Sequence, residues 1–112
     1  MQNKNHFVKL FVGNICNSIV HAILEKAINL EEIKIRYNKE LQTSFEKAEV
    51  YRQKINPINT SLPLKDMQFI KETIIHHVKA ELNSRILRGY KNINLSLIEP
   101  TTDDFLKKMK IM

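Results

Sequence analysis

Pairs of histidine and glutamate recur along this chain at a spacing that could hold a metal ion. The three pairs, each four residues apart, are His21 with Glu25, Glu72 with His76, and His77 with Glu81. Residues four apart lie on one face of a helix, and imidazole and carboxylate groups are both zinc ligands. The Glu-x-x-His motif of carboxylate sites in helix bundles is absent, however. The sequence therefore favours exposed pairs and predicts no cofactor.

Cysteine chemistry is limited to Cys16, because the chain contains one cysteine. A single cysteine excludes an intrachain disulfide and a cysteine zinc site, and it fits a reducing compartment, here the cytoplasm. A nucleophilic thiol needs a base beside it, and His21 lies five residues on, away from the same helix face. A Gly-rich phosphate loop is also absent from the sequence. These observations predict a protein that is not an enzyme.

Four cations cluster loosely where a helix is predicted to end. They are Lys79, Arg85, Arg88 and Lys91, in a chain with 18 Lys and Arg, 12 Asp and Glu, and a net charge of +6. Exposed cations contact the phosphate backbone of nucleic acids, so these four residues are the candidate nucleic-acid contacts. The alternative is structural, since cations at a helix C-terminus oppose the helix dipole.

Two short segments resemble a family of RNA-binding domains. Residues 10–15, Leu-Phe-Val-Gly-Asn-Ile, resemble the first signature strand of RNA-recognition-motif domains, and residues 88–90, Arg-Gly-Tyr, resemble the opening of the second signature. The resemblance implies a strand-rich fold in which Phe11 and Tyr90 stack on bases. The alternative places the first segment in a hydrophobic core and makes the glycine a helix cap. Two strongly helical stretches separate the segments, which favours the alternative.

The longest predicted element is a helix over about residues 15–55. Residues 17–55 contain neither Gly nor Pro, and apolar residues recur there every three or four positions. As one rod, this stretch would be about 60 Å long. Asn29, with Glu32 three positions on, matches an N-cap pattern, so a break near Asn29 is the alternative. The unbroken rod is favoured because the apolar stripe passes Asn29 without a change of phase.

Proline and glycine bound the next elements. Pro57 and Pro63 bracket a polar segment, so residues 56–62 are predicted to form a turn between two antiparallel helices. The helix that follows is predicted over residues 63–89, with Gly89 as its stop.

The last part of the chain is predicted to contain one short helix, over residues 102–110. Before it, residues 93–97 alternate strictly between apolar and polar side chains, which is a strand pattern. Residues 7–12 are apolar, aromatic and β-branched, and they fit either a strand or the apolar entry to the first helix. A minimal two-stranded sheet of these two segments is therefore left open.

Together these elements predict a mainly α protein with one domain over residues 1–112. Its architecture is expected to be an antiparallel hairpin of long helices or a small helical bundle. The helix that ends at Gly89 is too short to cover the apolar stripe in the first third of the chain, and a stripe left wet would be a large apolar patch. The C-terminal segment is expected to cover at most one side of this wide stripe, so a second copy is expected to cover the other. The predicted interface consists of Ile19, Val20, Ile23, Leu24, Ala27 and Ile28.

The function that this architecture predicts is a non-enzymatic interaction or scaffolding module that acts as a helical homo-oligomer, most simply a dimer. Its expected partners are a second copy of the chain or another helical protein. The alternative is a small basic protein that binds nucleic acid through the helix of residues 63–89 and its basic end. A membrane span is not predicted, because no uncharged apolar run reaches about 18 residues.

Overall fold

Four α-helices make up the computed structural model, which describes residues 3–56 and 62–112. The helices are α1 (Asn3–Ala27), α2 (Glu31–Ile55), α3 (Leu64–Leu87) and α4 (Ile98–Lys108), and a short 3-10 helix (Leu95–Leu97) precedes α4. No β-strand occurs within the described residues. The prediction of a mainly α helical bundle is confirmed.

The first helix is the centre of the bundle. α1 packs against α2, α3 and α4, and one row of wholly buried apolar residues recurs along it every four positions: Phe11, Ile15, Ile19 and Ile23. Val12, Val20 and Leu24 form a second buried row beside the first. A helix that is apolar on two sides needs cover on two sides, and here other helices of the same chain provide it.

The prediction of one unbroken helix over residues 15–55 is wrong, because the chain turns back at residues 28–30. Ser18 donates a hydrogen bond to the Leu41 carbonyl oxygen (2.9 Å), and Phe7 stacks on Tyr51, so α1 and α2 run antiparallel. Tertiary burial decided this outcome, since the fold-back covers a stripe that a straight rod would leave in water. The apolar residues keep the same helical spacing in a straight rod and in a folded-back pair of helices, so the continuity of the stripe did not distinguish the two arrangements.

The third helix runs in the same direction as α1 and opposite to α2. Asn5, near the start of α1, lies near Asp66, near the start of α3. Eleven residues further along α1, the Cys16 thiol points at the Ile74 carbonyl oxygen (3.9 Å). The helices on either side of the predicted turn are therefore antiparallel, while residues 57–61 of that turn lie outside the described residues. The long hairpin itself is formed by α1 and α2.

The C-terminal part of the chain differs from its prediction in two ways. Residues 93–97 form no strand; the Asn94 side chain accepts a hydrogen bond from the Ser96 backbone N–H (3.1 Å) and starts the 3-10 helix. α4 then begins at Ile98, four residues earlier than predicted, because Pro100 falls in its first turn, where no backbone donor is needed. Residues 7–12 lie within α1, so the optional sheet of these two segments does not form.

The end of α4 is fixed by a buried arginine on α2. The Arg52 side chain has no solvent exposure. Its Nε donates to the Met109 carbonyl oxygen (2.7 Å) and its Nη2 to the Lys110 carbonyl oxygen (2.9 Å), while Nη1 donates to the Asn56 side chain. Carbonyl groups at a helix C-terminus lack partners within the helix. Arg52 supplies those partners and ties α2 to the end of the chain.

By length and composition alone, α1 could also cross a membrane. The segment from Asn5 to Ala27 contains 23 residues and passes as a candidate span, which the prediction from uncharged runs did not identify. Half of it is buried inside the bundle. The central helix of a soluble protein gives the same pattern, so this feature does not assign the chain to a membrane.

Candidate interaction groove

An open groove of about 1060 Å³ runs between α1 and α3. Its α3 wall is a row of side chains four residues apart, which winds slowly around the helix: Phe69, Thr73, His77, Glu81 and Arg85. The buried stripe of α3 (Ile70, Ile74, Val78, Leu82) lies one residue further on and faces the core. Adjacent residues of a helix point in directions about 100° apart around its axis. The row that begins at Phe69 therefore lies beside the buried stripe and faces the outer side of α1.

The α1 side of the groove has an apolar floor and one position without a side chain. Val8, Val12, Cys16 and Val20 line the floor at steps of four residues. Gly13 lies among them in the middle of the helix, is exposed, and a Cβ placed there would meet no atom within 4 Å. Glycine in a helix interior costs about 1 kcal/mol relative to alanine. No close contact inside the described chain requires that glycine.

Both ends of the groove mix polar and apolar side chains. Val8, Val12 and Phe69 lie at one end with Asn5, His6 and Lys9, and Val20 lies at the other with Asn17, Glu81 and Arg85. At this second end Arg85 donates to the Glu81 carboxylate (3.2 Å) and also lies over the Tyr90 ring, 5.6 Å from its centroid. The charged groups of the lining are Lys9, Arg85 and Glu81, so the lining carries a net charge of +1 within a chain of +6.

The thiol in the groove is not activated. Burial raises the pKa of Cys16 to about 12, from an ordinary value of 9.0. Because the thiolate is the nucleophile, a thiol in this state reacts slowly at neutral pH. Cys16 therefore serves as a small apolar residue in the wall of the groove.

His21 is not paired in the way that its spacing from Glu25 suggested. His21 does not pair with Glu25; its Nε2 lies 2.8 Å from a Glu40 carboxylate oxygen on α2, and its Nδ1 lies 2.8 Å from the Asn17 carbonyl oxygen. Each ring nitrogen of His21 therefore lies within hydrogen-bond distance of an oxygen atom of the bundle. His21 thus joins α1 to α2 as a structural group. Across residues 3–56 and 62–112, no three potential metal ligands come together.

The four predicted nucleic-acid contacts lie at the end of α3 and just beyond it. Lys79, Arg88 and Lys91 are exposed. Arg85 is half-buried and is already engaged by Glu81 and Tyr90. The structure therefore presents three of the four cations to solvent and holds the fourth in contacts with its own chain.

The predicted oligomer interface lies mostly inside the protein. Four of its six residues are buried by the chain's own helices: Ile19, Val20, Ile23 and Leu24. Ala27 and Ile28 are half-buried at the end of α1. The fold-back of α2 removes the reason for placing an interface here, since the stripe that a second copy was expected to cover is already covered.

The residues behind the resemblance to RNA-recognition motifs are placed differently from that family. Phe11 lies in α1 and is wholly buried, so it is not available to stack on a base. Gly89, with φ of 101°, follows α3 as its helix stop, and Tyr90 lies against Arg85. The helical alternative explains both segments.

Sequence reasoning did not identify the groove. Two signals for it were present: a row of residues four apart that begins at Phe69, directly beside the buried row of α3, and an unexplained glycine in a strongly helical segment. Neither signal locates a groove until α1 and α3 are known to lie side by side. Comparison with protein-family models, with curated proteins and with solved structures gives no match.

Proposed function

We propose that this protein is a non-enzymatic interaction module that works as a homo-oligomer of helical subunits. The observation that carries the proposal is the groove between α1 and α3, where one large apolar side chain stands in solvent beside the half-buried Val8 and Cys16. Phe69 at its rim is 64% exposed. Grooves between helices are recurrent docking sites for other helices, with apolar residues as anchors and polar residues around them.

The mass of the purified protein in solution tests this proposal. Sedimentation equilibrium across the micromolar range is expected to give at least twice the 13.2 kDa of one chain. Dilution should return the monomer, because the chain's own core supports a folded single copy. A mass of 13.2 kDa at every concentration up to about 100 μM would rule out the homo-oligomer.

A second candidate function is nucleic-acid binding through the basic end of α3. It is supported by the exposure of Lys79, Arg88 and Lys91, and by Tyr90, an aromatic residue near the end of α3 that is 38% exposed. The double variant Arg88→Ala with Lys91→Ala should weaken binding to a labelled DNA or RNA duplex without unfolding the protein, because both side chains are exposed and exposed cations contribute little to stability. Lys34→Ala with Lys39→Ala on α2 is the matched control. Equal affinity of all three proteins would remove this surface from consideration.

A further inference from the structure

The exposed apolar side chains of this protein are concentrated at one end of the bundle. Within residues 3–56 and 62–112, nine large apolar or aromatic side chains are exposed, and five of them fall within residues 30–35 and 86–90. Leu87 is the most exposed of them at 89%, and Leu30 is 65% exposed. We call the five residues the apolar tip: Leu30, Ile35, Ile86, Leu87 and Tyr90.

The two segments of the apolar tip lie together because of the directions in which the helices run. α1 and α3 run the same way, so the end of α3 lies at the same end of the bundle as the connection from α1 to α2. Tyr37, early in α2, lies within hydrogen-bonding reach of Tyr90. Leu30 ends that connection and Leu87 is the last residue of α3, so both side chains lie at helix ends.

The charge around the apolar tip is strongly positive. The residues within about one helical turn of a tip residue are 26–39 and 82–94. The first range contains four cations and two acids, and the second contains three cations and no acid, so together they carry a net charge of +5. The rest of the chain supplies only +1 of the total of +6. Charge complementarity therefore calls for an anionic partner at this end.

From these observations we propose that this end of the molecule docks on the surface of an anionic lipid bilayer. Leu30 and Leu87 enter the boundary between headgroups and acyl chains, while the cations around them contact the headgroups. The protein lies on the bilayer and does not cross it, so α1 stays in the core of the bundle. This inference goes beyond the homo-oligomer and does not depend on it.

The exposed apolar side chains favour a bilayer over nucleic acid as the anionic partner. Phosphate backbones are bound by cations, and that interaction gives no role to exposed leucines. Surfaces that bind lipid combine Lys and Arg with apolar side chains that enter the bilayer to a depth of about 5–10 Å. Ile35 lies five residues beyond Leu30, which is about 8 Å along α2. The apolar tip therefore fits within that depth.

Flotation of the protein with lipid vesicles tests the proposal. The protein should float with phosphatidylcholine vesicles that contain about 30% phosphatidylserine and stay in the soluble fraction with phosphatidylcholine alone. Leu30→Ser with Leu87→Ser should weaken binding at least about tenfold, because two apolar side chains no longer enter the bilayer. Val50→Ser with Leu64→Ser is the matched control, since both sites are exposed and lie outside the apolar tip. It should bind as the wild type does.

A second pair of variants separates local charge from net charge. Arg88→Gln with Lys91→Gln should weaken binding about tenfold, because cations beside an anionic bilayer contribute to the affinity. Lys47→Gln with Lys65→Gln lowers the net charge equally at exposed sites outside the apolar tip. Its effect should be less than about threefold, since Lys47 lies about 25 Å along α2 from Leu30, beyond the Debye length of about 10 Å at 0.1 M salt.

Three results would overturn the proposal. The first is wild type that does not bind phosphatidylserine vesicles, and the second is equal binding to both kinds of vesicle. The third is full binding by Leu30→Ser with Leu87→Ser when Arg88→Gln with Lys91→Gln has lost it. That outcome would show a purely ionic contact and would leave nucleic acid as the anionic partner. The mass of the purified protein tests the homo-oligomer separately from all three.

Tryptophan fluorescence tests which end of the molecule contacts the lipid. The chain contains no tryptophan, so Leu87→Trp places a single reporter at the apolar tip and Val50→Trp places one outside it. Phosphatidylserine vesicles should shift the emission of Leu87→Trp to shorter wavelength and leave the emission of Val50→Trp unchanged. An equal response of the two variants would refute the proposed orientation.

Discussion

Arg52 has the strictest hydrogen-bonding requirement in the fold, because the donors of a charged side chain with no solvent exposure must all be satisfied. Its acceptors include the carbonyl oxygens of Met109 and Lys110 and the side chain of Asn56. Arg52→Met keeps the volume but leaves buried acceptors without donors, and should lower the free energy of unfolding by about 3 kcal/mol. Urea denaturation measures the loss. Arg36→Met, an exposed site on the same helix, should change it by less than about 0.5 kcal/mol.

Cys16 makes stability fall at alkaline pH. Its pKa is about 12 in the folded chain against an ordinary 9.0, so the folded state holds the proton that the unfolded state releases. The stabilising contribution is complete below pH 9 and is lost as pH rises toward 12. Urea unfolding from pH 8 to 11 should show this decline, with a smaller slope in Cys16→Ala. The raised pKa values of Tyr37 and Lys71 act in the same direction, so part of the slope should remain. An unchanged slope in Cys16→Ala would contradict the assignment.

At the scale of elements, α3 and α4 end in the same C-terminal motif, in which one residue adopts a left-handed backbone conformation with positive φ. That residue differs between the two helices. Gly89 has φ of 101° and Lys110 has φ of 60°. In both, the next residue donates back to a carbonyl oxygen five positions earlier, Tyr90 to Arg85 and Ile111 to Leu106. Glycine adopts this conformation without strain, whereas lysine does not.

This comparison predicts opposite effects on stability for one substitution at each of the two left-handed positions. Lys110→Gly should raise the free energy of unfolding by about 0.5–1 kcal/mol, because it relieves the strain at the end of α4. Gly89→Ala should lower it by about 1 kcal/mol for the converse reason. Thermal unfolding of both variants measures the effect. If the two changes have the same sign, the left-handed position does not control these helix ends.

These helix ends also explain how much of the fold the sequence predicts. The predicted bounds of α3 agree with the structure to within two residues at each end, because Pro63 and Gly89 act locally on the backbone. A local signal for the break at residues 28–30 exists, since Asn29 with Glu32 matches an N-cap pattern, and the alternative of a break near Asn29 is the arrangement that the structure has. The signal is weak because Leu30, not Asn29, occupies the N-cap of α2 and has no capping side chain. The groove could not be predicted at all, because it depends on which helices lie side by side.

At the scale of the whole molecule, α1 is buried at the centre of the bundle, so charged substitutions at its buried positions should unfold the protein. Ile23 and Leu24 are each 1% exposed. Ile23→Glu or Leu24→Glu places an unpaired carboxylate in the core, and either variant should be largely unfolded at 25 °C by circular dichroism. Val50→Glu, at an exposed site on α2, should remain helical. A folded monomer of Ile23→Glu would mean that this surface does belong to an interface.

Because of the net charge, salt should have opposite effects on the affinities of the two candidate functions, self-association and nucleic-acid binding. Two copies that each carry +6 repel one another, and salt screens that repulsion, with a Debye length of about 10 Å at 0.1 M. Self-association through a nearly neutral groove should therefore become tighter between 50 and 500 mM NaCl. Binding to nucleic acid should weaken steeply over the same range, because phosphate contacts release counterions. Sedimentation equilibrium and duplex binding in the same salt series measure both. Self-association that weakens with salt would show that ionic contacts hold the copies together, and it would move the interface away from the groove.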